Sequence, residues 1–145
     1  MYLVDTDVVS AAAPTTAAGP PPFAAWMDAQ SLNLFLSAVS IAEIEDGIAK
    51  LRREGATKKA RDLAAWIDTL VHLYTDRVLV FDLGLARIAG RVSDKARGLG
   101  LTPGFADIII AATALHHGLV LLTRNTRDFL PLGVKVHDPF VSLPG

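Results

Sequence analysis

Short apolar runs alternate along the chain with longer segments in which apolar positions recur every three or four residues. The runs are Tyr2–Val4, Leu34–Leu36, Val78–Phe81, Leu119–Leu122 and Val134–Val136. They are too short for helices and are flanked by polar or turn-forming residues, so they predict strands. Helical spacing predicts helices at about Phe23 to Ala29, Ile41 to Glu54, Thr57 to Tyr74, Leu85 to Leu99 and Phe105 to His117, the last stopped by Gly118. Parallel neighbours need a crossover, and the crossover is usually a helix. The alternation therefore predicts an α/β fold, a central and mostly parallel sheet flanked by helices in three layers. Ala11 to Pro22, with Pro14, Gly19 and three successive prolines, reads as a surface loop.

At 145 residues the chain fits one domain spanning 1–145, long enough to bury roughly 68 to 70% of its unfolded surface. Hydrophobic residues make up 51% and charged residues 20%, which excludes a disordered chain. The net charge of -1 excludes a globally basic nucleic-acid coat, so a polyanion would have to be met by local patches. The absence of cysteine excludes disulfides, thiol nucleophiles and iron–sulfur clusters. Any metal must then be held by oxygen or imidazole. The start carries no basic leader, and Asp107, His116 and His117 interrupt the longest apolar stretch, so neither a signal peptide nor a membrane span is expected. The expected location is cytoplasmic.

Asp5, Thr6 and Asp7 follow the first strand directly. Ligands in open α/β sheets bind beyond the carboxyl ends of the strands, where two acids suit a metal or phosphate site. The same residues also suit a helix cap, by Thr6 or Asp7. On the next helix Ile41, Ile44, Ile48 and Leu51 form the apolar face, and Glu43 projects off it with Gly47 one turn on. Ser40 to Glu43 fits a capping box, and periodicity alone does not choose among Glu43, Glu45 and Asp46. Asp107 is less ordinary, because the helix it opens is apolar nearly all round. The helix dipole offers it about 0.3 to 1 kcal/mol, far below the several kcal/mol that an unpaired buried ion costs. A cation, from an arginine or a metal, is the remedy. Thr123, Arg124, Asn125, Arg127 and Asp128 follow another strand. Oxygen ligands thus come from several segments to one edge of one sheet, a set suited to a hard divalent ion such as magnesium or manganese.

Four motifs carry a resemblance. They are Leu3-Val4-Asp5-Thr6-Asp7, Ile41-Ala42-Glu43 with Gly47, Ala106-Asp107 leading to Ile110-Ala111-Ala112-Thr113-Ala114, and Leu122-Thr123-Arg124-Asn125-Thr126-Arg127-Asp128-Phe129. In this order and spacing the chain resembles a PIN domain, and specifically a VapC-type toxin of bacterial type II toxin–antitoxin modules. The resemblance implies a metal-dependent endoribonuclease using Mg2+ or Mn2+, held in check by a cognate VapB-type antitoxin and commonly homodimeric. By motif, Asp5, Glu43 and Asp107 are the acidic metal ligands. Many relatives carry Asp where Asn125 stands. Asp128 is therefore taken as the fourth acid, with Asn125 as a neutral ligand or water-orienting group.

For the RNA substrate, Arg124, Arg127 and Thr123 are the candidate contacts. Lys50, Arg52, Arg53, Lys58, Lys59 and Arg61 stand against Glu54 alone, a local charge of +5. They read as a solvated corner, with a phosphate-contacting patch as the alternative. Trp26, Trp66 and Tyr74 read as core or interface, and His116 and His117 as helix-end residues rather than ligands. Two other functions compete. One is a PIN-like module that binds RNA or protein without cutting. The other is a haloacid-dehalogenase-type phosphotransferase, whose nucleophilic Asp the amino-terminal motif also resembles, but Lys135 and Asp138 come too late to complete that site.

Overall fold

The computed structural model describes residues 1–14 and 21–145. Strand β1 (Tyr2–Val4) leads into α1 (Thr6–Ala11), and α2 (Phe23–Ala29) precedes β2 (Leu34–Ser37). Two long helices follow, α3 (Ala38–Arg53) and α4 (Thr57–Tyr74), then β3 (Val78–Leu79) and α5 (Leu83–Gly98). The chain continues through α6 (Phe105–His117), β4 (Val120–Leu122), α7 (Thr126–Phe129) and β5 (Val136–His137). The surface loop expected from Ala11 to Pro22 lies for residues 15–20 outside the described residues; Ala11 itself closes α1.

The strands form one sheet in the order β3-β2-β1-β4-β5, with every pair parallel. The mostly parallel sheet expected from the sequence is wholly parallel. In β1, Leu3 and Val4 point to opposite faces, as the period of two requires. Leu3 joins Leu121 in a core against α5 and α6, with Ala89, Val92, Ile110 and Ala111. Val4 joins Leu36 and Leu122 in a second core against α1 to α4, with Val8, Phe23, Ile48 and Ile67. Both faces of the sheet are covered, giving the three layers.

Several boundaries differ from the periodicity. Helix α3 starts at Ala38 rather than Ile41, because Ser37 turns out of β2 in extended backbone and its hydroxyl accepts the Val39 amide. Ser40 is therefore inside the helix, and the capping box read there does not form. Asp82 caps α5 by accepting from the Leu85 amide, which moves its start to Leu83. Strand β3 stops at Leu79 because its partner residue, Ser37, is where β2 ends, leaving Val80 and Phe81 exposed. Strand β5 is shifted to Val136–His137 by its register with Leu121 and Leu122. Gly118 ends α6 in the left-handed region at φ 64, donating its amide to Ala114. No helix among the described residues is long and apolar enough to cross a membrane.

Candidate active site

The carboxyl ends of β1, β2 and β4 lie side by side, and polar residues follow each of them. Asp5 continues the β1 ladder, its amide donating to the Leu122 carbonyl at 2.9 Å. Asp5 is also the cap of α1, so the capping expected of Thr6 or Asp7 falls to it. One carboxylate oxygen accepts from the Thr6 amide at 2.8 Å and the other from the Thr123 hydroxyl at 2.7 Å. The residue is only 4% exposed. Burial pushes its pKa up to about 7, the hydrogen bond from Thr123 opposes the shift, and the charges of Asp7 and Asp107 add to it.

Glu43 stands exposed on the second turn of α3, off the face that buries Ile44 and Ile48. Thr6 Oγ1 lies 2.6 Å from Glu43 Oε1 and 2.8 Å from Ser40 Oγ. A hydroxyl has one proton and a carboxylate can only accept. The order that satisfies all three groups therefore has Ser40 donating to Thr6 and Thr6 donating to Glu43. Thr6 ties the start of α1 to α3 and fixes the carboxylate.

Asp107 sits in the first turn of α6, whose next seven residues, Ile108 to Ala114, are all buried. Burial raises its pKa, and the charges of Glu43, Asp128 and Asp7 raise it further. Acids from four segments of the chain are thus close enough for three of them to act on the charge of Asp107. Asp128 is exposed in the first turn of α7, a short helix where the sequence suggested loop. Asn125 precedes that helix; its amide nitrogen of the backbone donates to Thr123 Oγ1 at 3.0 Å, while its side chain makes no capping bond.

A model of the PIN domain matches residues 2–132. The chain belongs to the PIN domain family. It is 33% identical to toxin FitB of Neisseria gonorrhoeae, covering 97% of this chain and 99% of that protein. It is likewise 33% identical to VapC ribonuclease Y4jK of Sinorhizobium fredii, covering 97% and 98%. The crystal structure of FitAcB from Neisseria gonorrhoeae superposes with a TM-score of 0.82 at 33% identity, covering 97% of this chain and 99% of the solved one.

Within this PIN domain the other candidates sit as follows. Thr123 is fully buried, its hydroxyl committed to Asp5, so it lies behind the carboxylate rather than at the surface where a substrate would arrive. Arg124 is half exposed, with Nε 3.3 Å from Asp7 Oδ2. Arg127 is exposed on α7. Gly47 faces open space, with nothing within 4 Å of where a Cβ would stand. It opens onto a groove of about 310 Å³ lined by Thr6, Ser10, Glu43, Lys59 and Trp66. Lys50, Arg52, Arg53, Lys58, Lys59 and Arg61 are all exposed around the α3–α4 turn, and Lys50 pairs with Glu54 at 3.9 Å. Trp26 and Trp66 are half-buried against the second core, and Tyr74 is buried in it. His116 and His117 stack edge to face at 4.8 Å at the end of α6.

Three residues escaped the sequence reading of the site. Thr6 and Ser40 position Glu43, and only their hydroxyls signalled it. Asp7 was read with Asp5 as one of two acids suited to a metal or phosphate site but was left out of the ligand set. Its Oδ1 is buried without a hydrogen-bond partner, while its charge bears on both Asp5 and Asp107. Among the described residues, no three acids or histidines already surround one ligating centre. The donor set nonetheless fits a hard divalent ion: it is all oxygen, two members are pushed toward protonation by burial and mutual repulsion, and one buried oxygen lacks a partner.

Proposed function

We propose that the protein is a toxin-type endoribonuclease that hydrolyses RNA phosphodiester bonds with a divalent ion, Mg2+ or Mn2+. The observation that carries this reading is that Asp107 exchanges charge influence with Asp5, Glu43 and Asp128, acids on four separate segments. The names of the relatives FitB, a toxin, and Y4jK, a VapC ribonuclease, support the reaction class. Asp5, Glu43, Asp107 and Asp128 would hold the ion, with Asn125 as a neutral donor or water-orienting group. When bound, such an ion supplies Lewis acidity at a phosphoryl oxygen and acidifies a water for attack.

The chain's own residues do the positioning. Thr123 and the Thr6 amide fix both oxygens of Asp5, and the Ser40–Thr6 relay fixes Glu43. Arg124 and Arg127 stand beside the acids as contacts for the RNA phosphates, and Thr123 serves the substrate indirectly, by setting Asp5. The phosphotransferase reading finds no support among the relatives, which are named as a toxin and a ribonuclease.

An antitoxin of the VapB type fits this reading as partner. Its natural seat is the side of the molecule that carries the groove beside Glu43 and a cavity of about 640 Å³ lined by Val9, Met27, Leu32, Trp66, Leu70 and Leu73, the two sharing Trp66. A homodimer and a cytoplasmic location belong to the same reading. The test is cleavage of RNA by the purified protein with Mg2+ or Mn2+, lost in Asp107→Ala. Intact RNA alongside calorimetric binding of ion and RNA would instead establish the non-cleaving module.

A further inference from the structure

The segment that follows β5 reaches back over the acidic edge. It is tied locally: His137 Nε2 meets the Ser142 carbonyl at 2.7 Å, and the Phe140 amide donates to Asp138 Oδ1 at 2.9 Å. The Phe140 ring packs edge to face on the buried Phe23, with centroids 4.5 Å apart. The Arg124 guanidinium carbon stands 4.3 Å from the centre of the same ring. Arg124 Nε in turn meets Asp7 Oδ2 at 3.3 Å.

Each contact removes one freedom from the arginine. The aromatic ring holds the guanidinium carbon near its centre, and Asp7 holds Nε. The Nη donors have no other acceptor among the described residues, and half of the side chain faces solvent. Arginine recognises phosphate through a planar fork. An arginine already held at two points loses less rotamer freedom on binding, so the clamp improves binding without entering the bond-breaking step. No sequence motif of the site includes Phe140, and it lies beyond the residues matched by the PIN domain model.

We propose that Phe140 is a positioning residue for substrate: it clamps Arg124, together with Asp7, so that the guanidinium meets an RNA phosphate beside the acids. The proposal rests on the ribonuclease reading only for the identity of the polyanion. A double-mutant cycle tests it. Phe140→Leu keeps apolar packing on Phe23 but removes the aromatic face, and Phe140→Trp restores it. Binding of a fluorescent random-sequence single-stranded RNA pool is read by anisotropy in the Asp107→Asn background, where the pool is not cut. Cleavage of the same pool is read in the otherwise unmodified protein.

Phe140→Leu weakens RNA binding by about two- to five-fold, and raises KM by a similar factor with kcat retained. Phe140→Trp binds like the parent. In an Arg124→Ala background Phe140→Leu has no further effect. Arg124→Ala itself lowers the slope of log K against log salt by about 0.7, one phosphate on a single strand. Equal weakening by Phe140→Leu with and without Arg124, a loss confined to kcat, or unchanged binding each overturn the proposal. Failure of the parent protein to cut the pool, with the binding cycle intact, sinks the ribonuclease reading alone.

Discussion

Helices α3 and α6 each bring one acid to the carboxyl edge of the sheet, and the surroundings of those acids differ in almost every respect. α3 is amphipathic: it buries Ile44 and Ile48, exposes Glu43, Glu45 and Asp46, and has Glu43 held by the Thr6 hydroxyl. α6 is buried along Ile108 to Ala114, and its half-buried Asp107 accepts no hydrogen bond among the described residues. Glu43 is aimed by a dedicated hydroxyl at little desolvation cost. Asp107 is placed by packing alone and suffers both burial and repulsion. A carboxylate on a solvated face is easily tolerated by the fold, whereas one on an apolar helix opposes it, and the second kind is the stronger sign of chemistry.

Truncation of the two acids probes that contrast most directly. Asp107→Ala and Glu43→Ala both reduce RNA cleavage to background in a purified assay. Thermal melting separates them: Asp107→Ala melts at or above the parent temperature, because a strained charge is removed, while Glu43→Ala gains nothing. A lower melting temperature for Asp107→Ala would break the contrast.

Asp5 extends the contrast to the most buried of the acids. Burial holds its pKa at about 7, above the ordinary 3.8 of an aspartate. Between those values the native state keeps a proton that the unfolded chain releases. Stability therefore falls as pH climbs from about 4 to about 7. Asp5→Asn flattens that slope, is more stable than the parent at neutral pH, and cuts no RNA. Melting curves across pH, with and without Mg2+, measure it, and a parent protein whose stability rises over that window would contradict the assignment.

A smaller effect is expected at the hydroxyl that aims Glu43. Thr6→Val removes the bond to Glu43 and leaves Ser40 without its acceptor, lowering cleavage by about 10- to 100-fold with the acids intact. The smallest change belongs to the neighbours that share the exposed face of α3. Glu45→Gln and Asp46→Asn leave cleavage within about two-fold, as surface substitutions away from the site should. A large loss in either would mean that the wrong acid of α3 has been placed at the site.

The two helices also differed in how readable they were. Asp107 stood out in the sequence because an apolar helix has no ordinary use for an acid. Glu43 did not, since Glu45 and Asp46 fit the same solvated face; the motif around it resolved what periodicity left open. The parallel sheet was legible from the spacing of strands and helices, but the start of α3 was not, because Ser37 and Ser40 both suit a cap and only the backbone turn out of β2 decides between them. Thr6 and Ser40 were invisible as positioning residues, since Thr6 lies 34 residues from Ser40 and 37 from Glu43 in the chain. Thr123 was recognised as part of the site but read as a surface contact, because nothing in a motif reveals that its hydroxyl points inward.

The bond from Thr123 to Asp5 joins residues 118 positions apart. Strand β4 must be seated beside β1 before that bond can exist. During synthesis, then, Asp5 lacks the hydroxyl that fixes its second oxygen until residue 123 has emerged. The machinery that makes this protein is itself built of RNA, and it is not exposed to a finished cutting centre before Thr123 is in place.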